Sequence, residues 1–301
     1  MASPASSPIA TLGLTFFYGG VAMYVVAAAA ALRYLQAGGE KARSLARGLA
    51  DAGFVAHTAF LVLWGSLHWR LPGYARFEAL AALLWCAALT YVVLDLSLRV
   101  RALPSFVLPL IAAGGVAIAL LVRPEAEAST TATSWWLPVH VAAALLGAAD
   151  FVVAFAVAAM YLVQQRLLKR GAVGPVMERL PSLDALDRLN YRVVALGMPV
   201  FTLALVSGVV LAVAKRPDWW ASWLVAASFL AWALYAVLLH VRLRAGWRGP
   251  KVAYLTVLGF LLVLAIVCGL ALFGDPLHTM GRKAAHGGHQ PPAAEGQRDA
   301  P

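Results

Sequence analysis

Few side chains in this sequence can ionise or ligate a metal from within an apolar stretch. They are His57, Asp95, His140, Asp150 and His240, with His68 and His278 just beyond the ends of such stretches. An imidazole nitrogen is a good ligand for transition metals and the usual axial ligand of haem iron. Two imidazoles on separate helices, facing across a gap, can therefore clamp a flat iron porphyrin. A dense set of indoles accompanies them: Trp219, Trp220 and Trp223 in one short connection, Trp135 and Trp136 in another. Indoles anchor helices at membrane interfaces, and they also make flat shelves on which an aromatic ring packs. The sequence holds no Ser-His-Asp arrangement, phosphate-cradling glycine loop or catalytic carboxylate pair, so neither a hydrolase nor an ATPase is indicated. Cys86 and Cys268 both lie in apolar stretches, which points away from a disulfide framework or a thiol relay.

The elements that must carry these residues follow from composition. Of 301 residues, 62% are hydrophobic and 13% charged. A soluble domain runs at about 45–50% apolar and about 25% charged, so this is an integral membrane protein. The net charge of +10 falls between apolar segments and forms no long stripe or aromatic-basic module, so it reads as topology and nucleic acid is not an expected partner. Residues 1–10 lack Lys and Arg and the apolar stretch after them is too long for a signal-peptide core, so no cleaved leader is expected.

A span needs about 20 mostly apolar residues to cross about 30 Å of hydrocarbon. Eight stretches qualify, near 10–35, 48–67, 77–98, 105–122, 136–164, 193–214, 220–241 and 252–273. They lack the alternation of barrel strands, and the fold expected is all-α, a bundle of about eight transmembrane helices. Sixteen of the 24 Lys and Arg fall in the loops after spans one, three, five and seven. Positive residues are retained on the cytoplasmic side, so both termini are expected to face outward. The organisation expected is a short outer N-terminus over 1–9, an eight-helix domain over 10–273 and an outer tail over 274–301, disordered from about 281. The loop over 123–134 reads as a flexible outer connection. Within the loop over 171–192, residues 180–187 read as a short amphipathic turn or helix at the interface.

Depth then sorts the histidines. His140 lies just inside the outer end of span five and His278 just beyond the outer end of span eight. His57 falls near the middle of span two and His240 within a turn of the inner end of span seven, so these two share the inner half. Taken singly, each reads as a helix-to-helix hydrogen-bond donor; as four residues at two levels, they read as two ligand pairs, and spacing alone leaves both readings open. For the indoles an anchoring belt stands beside a porphyrin shelf. Asp150, at mid-depth, calls for a Ser, Thr, Tyr or His on a neighbouring helix. Asp95, close to Arg99, reads as an interfacial salt-bridge partner, and Arg76 and Glu78 as a pair or as propionate-orienting groups. His286 and His289 read as solvated.

The order of several motifs resembles the CcsA/HemX-type cytochrome c assembly proteins over roughly residues 50–281. The motifs are His57 with Pro72-Gly73-Tyr74-Ala75-Arg76-Phe77-Glu78, Leu137-Pro138-Val139-His140-Val141, Leu180-Pro181-Ser182-Leu183-Asp184-Ala185-Leu186-Asp187, and Val206-Ser207-Gly208 through Trp223. Leu238-Leu239-His240-Val241-Arg242, Gly246-Trp247-Arg248-Gly249, Gly259-Phe260 and Pro276-Leu277-His278 complete them. The resemblance implies a multi-pass protein of the cell's inner (cytoplasmic) membrane, a haem transporter or chaperone-like component more than a stand-alone enzyme. It would take haem b and present it at the outer face for attachment to apocytochrome c, with a second assembly subunit as a possible partner beside the membrane lipid. His140 and His278 would be the outer axial ligands flanking Trp219, Trp220 and Trp223, and His57 and His240 the inner pair. At one place the chain departs from the pattern: Trp223 runs into Leu224-Val225-Ala226-Ala227 without the acidic and basic continuation. The HemX-like branch, linked to haem biosynthesis, is thereby an alternative, as is a haem-carrying redox subunit.

Overall fold

The computed structural model describes residues 7–68, 75–98, 100–124, 136–171, 174–215 and 217–273. Each of the eight apolar stretches is a helix long and apolar enough to cross a membrane. They are α1 (Pro8–Ala37), α2 (Glu40–His68), α3 (Arg76–Leu98), α4 (Pro104–Leu121), α5 (Trp136–Lys169), α7 (Leu183–Lys215), α8 (Trp223–Arg244) and α9 (Pro250–Phe273), with a short helix α6 (Pro175–Arg179) between α5 and α7. Among the described residues there is no strand. The expected outer tail over 274–301, with His278, His286 and His289, lies outside the described residues, as do Arg99, Trp135, residues 72–74 and most of the loop over 123–134.

Two helices begin earlier than their apolar cores. α2 starts at Glu40, where a Glu40–Arg43 ion pair of 3.1 Å spans the first turn. α7 starts at Leu183, so half of the segment over 180–187 is the first turn of a spanning helix and not a separate element. Ser182 precedes it and its carbonyl accepts from Leu186 N–H at 3.0 Å. Asp184 and Arg188 then pair one turn apart, which lets polar sequence continue the helix past the hydrocarbon. α5, at 34 residues, is about 50 Å long by the 1.5 Å rise, longer than the hydrocarbon core, and its excess carries Arg166 and Lys169.

The bundle has two halves. In the first, α1 packs against α2 and α4, and α3 against α2 and α4. The α1–α2 hairpin turns on Gly38 and Gly39, with φ of 80° and 97°, a left-handed region open to glycine at little cost. Further along, Gly20 meets Gly53 so closely that a Cβ on Gly20 would lie 3.1 Å from the Gly53 carbonyl oxygen. Such small-residue contacts let membrane helices gain dispersion energy where burial from water gives none. In the second half α5 packs along α7 and against α9, while α8 packs on α7 and α9. Phe151 stacks on Tyr235 at 3.7 Å between ring centres, and Phe155 on Phe260 at 4.2 Å.

α3 and α4 join the halves through α5, and Thr90 on α3 donates to Asp150 on α5 at 3.2 Å, the kind of partner the sequence called for. A second tie runs from α6, where Arg179 donates to the carbonyls of Leu35 at 2.9 Å and Gln36 at 3.3 Å, supplying the end of α1 with donors it lacks. Large apolar side chains such as Val55, Leu120, Leu196 and Leu230 stand exposed around the bundle, as a lipid-facing surface requires.

The α5–α7 seam leaves equally little room, since a Cβ on Gly147 would lie 3.1 Å from the Phe201 Cα. Gly147→Leu is expected to destabilise the protein by about 1–3 kcal/mol through overpacking. Gly19→Leu, facing open space, is expected to leave stability unchanged. Thermal unfolding in detergent, followed by circular dichroism, separates the two.

Candidate functional site

His140 is held by α7. Its Nδ1 lies 2.8 Å from the carbonyl oxygen of Ala204, and the Ser207 hydroxyl stands 3.4 Å from the same nitrogen. A carbonyl only accepts, so Nδ1 carries the proton and donates it, and the neutral ring then has its lone pair on Nε2. The Ser207 hydroxyl donates to the Leu203 carbonyl at 2.6 Å. The ring lies over Gly208, where a Cβ would come within 2.7 Å of His140 Cε1. Ala204, Ser207 and Gly208 thus make a cradle that fixes both tautomer and orientation. An Nδ1–H to carbonyl bond that leaves Nε2 as the basic nitrogen is the usual support of a metal-ligating histidine. The sequence pointed to His140 but not to Ala204, whose contribution is a backbone atom, nor to the reason for Gly208.

The same end of the bundle carries the end of α7, the starts of α5 and α8 and the end of α9. Trp219 and Trp220 form a 3-10 turn there, Trp219 half-buried and Trp220 69% exposed. Trp223 opens α8 at 41% exposure, its ring lying against Gly269 of α9. The described chain reaches Phe273 at this end, five residues before His278, which lies outside the described residues.

The inner-level histidines stand apart. His57 is buried to 1% exposure among Phe17, Tyr24 and Phe60, with ring centres 5.7, 6.2 and 6.0 Å away. Neither of its ring nitrogens has a hydrogen-bond partner, nor does the Tyr24 hydroxyl; the Ala81 backbone approaches the imidazole without completing a bond. His240 is exposed on α8, in the other half of the bundle, and no ring contact joins the two among the described residues. Those residues also contain no cluster of three or more His, Cys, Asp or Glu able to hold a metal ion. A porphyrin asks for less, since it brings four nitrogens and leaves two axial positions.

The opposite end is organised by a buried ion pair that sequence reasoning did not assign. Arg242 on α8 grips Asp187 on α7 with bonds of 2.7 and 3.0 Å to the two carboxylate oxygens, and Gly249 N–H adds a third at 3.0 Å. Arg242 also lies 4.8 Å over the Tyr191 ring. A turn further along, Asn190 donates to the Ala154 carbonyl at 3.1 Å and accepts from Thr256 at 3.1 Å, so α7 is tied to α5, α8 and α9 together. The signal was present: a buried carboxylate needs a cation, and Arg242 is within the motif that carried the resemblance. In the first half, Asp95 pairs with Arg47 of α2 at 2.6 Å, a salt bridge as expected but with a partner that sequence proximity did not suggest. Glu78 is buried at the start of α3 and accepts from the Trp64 indole at 3.1 Å and from Ala75 N–H at 3.3 Å.

Residues 74–278 match the family model described as cytochrome C assembly protein. Cytochrome c biogenesis protein CcsA of Prochlorococcus marinus (strain MIT 9301) is 29% identical over 253 residues, covering 74% of this chain and 80% of that protein. The CcsA of strain AS9601 is 28% identical over 303 residues, covering 91% of this chain and 94% of the relative, and that of Chlamydomonas reinhardtii is 28% identical over 237 residues, covering 73% and 65%. Among solved structures, Cytochrome c Heme Lyase CcmF superposes with a TM-score of 0.63 at 17% identity, covering 93% of this chain, which spans about half (51%) of that longer protein. That likeness concerns the fold. The HemX-like alternative is not favoured by these relatives, which carry the CcsA name. The chain is a multi-pass membrane protein that belongs to the cytochrome c assembly family.

Proposed function

We propose that this protein receives haem b, holds it between histidine ligands near the extracytoplasmic surface of the inner membrane, and presents it to apocytochrome c in company with a second assembly subunit. The observation that carries the reading is the His140 cradle, in which the Ala204 carbonyl fixes the proton on Nδ1 and Gly208 provides the space for the ring. In this reading His140 and His278 would hold the haem iron and shield it from oxygen. Trp219, Trp220 and Trp223 line the approach. Each thioether bond would form by addition of an apocytochrome thiol S–H across one haem vinyl C=C, the sulfur and the hydrogen each bonding to one vinyl carbon. The work of this chain is to bind, orient and shield.

At the inner level, His57 and His240 are the ligands proposed for haem arriving from the cytoplasmic side. His57 supports this through its two unpartnered ring nitrogens, an arrangement that costs free energy in a dry core and that a metal bond relieves. Because the residues lie in different halves of the bundle, the pairing itself needs a separate test.

Three outcomes are expected from absorption spectra and haem content of the purified protein. His140→Ala loses most of the outer haem, and added imidazole restores the spectrum; an unchanged spectrum and content would overturn the assignment. Gly208→Leu, which keeps His140 but fills its cradle, weakens haem retention by about 10–100-fold, the range seen when the support of a metal ligand is disturbed. His57→Phe and His240→Ala remove the same spectral feature if they share one haem. Independent effects of the two would dissolve the inner pair while leaving the outer one standing.

A further inference from the structure

The arginine-rich end of the second half contains a recess with no role in the reading above. It encloses about 590 Å³ between the start of α7 and the end of α8, within the 300–1,000 Å³ typical of small-ligand sites. Four arginines line it, Arg188, Arg192, Arg242 and Arg248, against two carboxylates, Asp184 and Asp187. Both carboxylates are engaged, Asp187 by Arg242 and Asp184 by Arg188. Among the described residues Arg192 and Arg248 have no carboxylate within salt-bridge distance, although Arg248 adds its field to Asp187 from further away. The wall therefore keeps a charge of +2.

A second recess, of about 210 Å³, adjoins the first and shares Arg188 and Arg192 with it. The rest of its lining is largely apolar, with Leu98 at the end of α3, Val100 just beyond it, and Leu186 and Leu189 on α7. A cationic recess that shares a wall with a largely apolar one matches an amphiphile with an anionic head. Haem meets the site poorly: among the described residues no histidine, cysteine or methionine lines the charged recess, and the one tyrosine, Tyr191, carries Arg242 on its ring face. A soluble phosphate would leave the slot unused.

We propose that this paired recess binds the phosphodiester headgroup of an anionic glycerophospholipid, with Arg192 and Arg248 on the phosphate and an acyl chain along the slot. Basic pockets between transmembrane helices on the cytoplasmic side are suited to such headgroups, and the charge asymmetry of the loops puts this end on that side. The bound lipid would complete the contact between α7 and α8 around the Asp187–Arg242 pair. The inference is independent of the haem assignments.

Native mass spectrometry of the full-length protein, titrated with phosphatidylglycerol, phosphatidylcholine or inorganic phosphate, tests it. The wild type is expected to retain phosphatidylglycerol in preference to phosphatidylcholine. In the R192Q/R248Q double variant that affinity falls about thirtyfold, from roughly fivefold for each cation beside an anionic headgroup. Both side chains are exposed, and the R192K/R248K variant, expected to keep the preference, controls for loss of structure. Equal retention of the two lipids, an undiminished preference in R192Q/R248Q, or displacement of phosphatidylglycerol by equimolar inorganic phosphate would each overturn the assignment, the last by showing a plain anion site.

Discussion

Inside a bilayer no water is at hand, so a polar group carried into the bundle costs free energy unless it finds a partner, most often on a neighbouring helix. That constraint accounts for the cross-links of this structure. Thr90 meets Asp150, Asn190 bridges Ala154 and Thr256, Trp232 donates to Thr202 at 3.0 Å, and Ser105 donates to the Ala31 carbonyl at 2.7 Å. Each contact fixes the rotation of one helix against another, which apolar packing alone leaves loosely specified. The His140–Ala204 bond belongs to the same set. It differs in what it leaves behind, because an imidazole that donates through one nitrogen is basic at the other.

α5 is the element on which the rest is arranged. It carries His140 near one end, Asp150 at mid-depth and basic residues at the other end, and it touches both halves of the bundle. Gly147 and Phe201 set its distance from α7, so the register of that seam decides whether the ring of His140 meets Ala204 and Gly208. Stability and the orientation of the His140 ring are thus coupled through one helix pair. The indoles of the adjoining turn sit at the surface, where they can serve both as interface anchors and as a wall toward an arriving partner.

The eight spans were legible because hydropathy over about 20 residues is a strong signal. The early starts of α2 and α7 were not, since polar first turns lie outside the hydrocarbon and helix continues there through Glu40–Arg43 and Asp184–Arg188 pairing. The place of His140 near the start of its helix followed from the bounds of span five. Its orientation did not, because it depends on a backbone oxygen 64 residues away. Asp95 illustrates the same limit: Arg99 is its neighbour in sequence, whereas Arg47 is its neighbour in space. For Asp187 and Arg242 the resemblance marked the residues and the fold supplied the reason, a buried carboxylate satisfied from α8 and from the turn before α9.

The bonds from Arg179 to Leu35 and Gln36 join positions more than 140 residues apart. The carbonyls that close α1 receive this guanidinium only once the ribosome has made more than half of the chain, so the amino-terminal hairpin enters the bilayer with one end unfinished. Assembly therefore has a built-in order: five helices are threaded before the side chain that completes the end of α1 exists, and a shortened or rerouted connection between α5 and α7 would leave the Leu35 and Gln36 carbonyls without this donor.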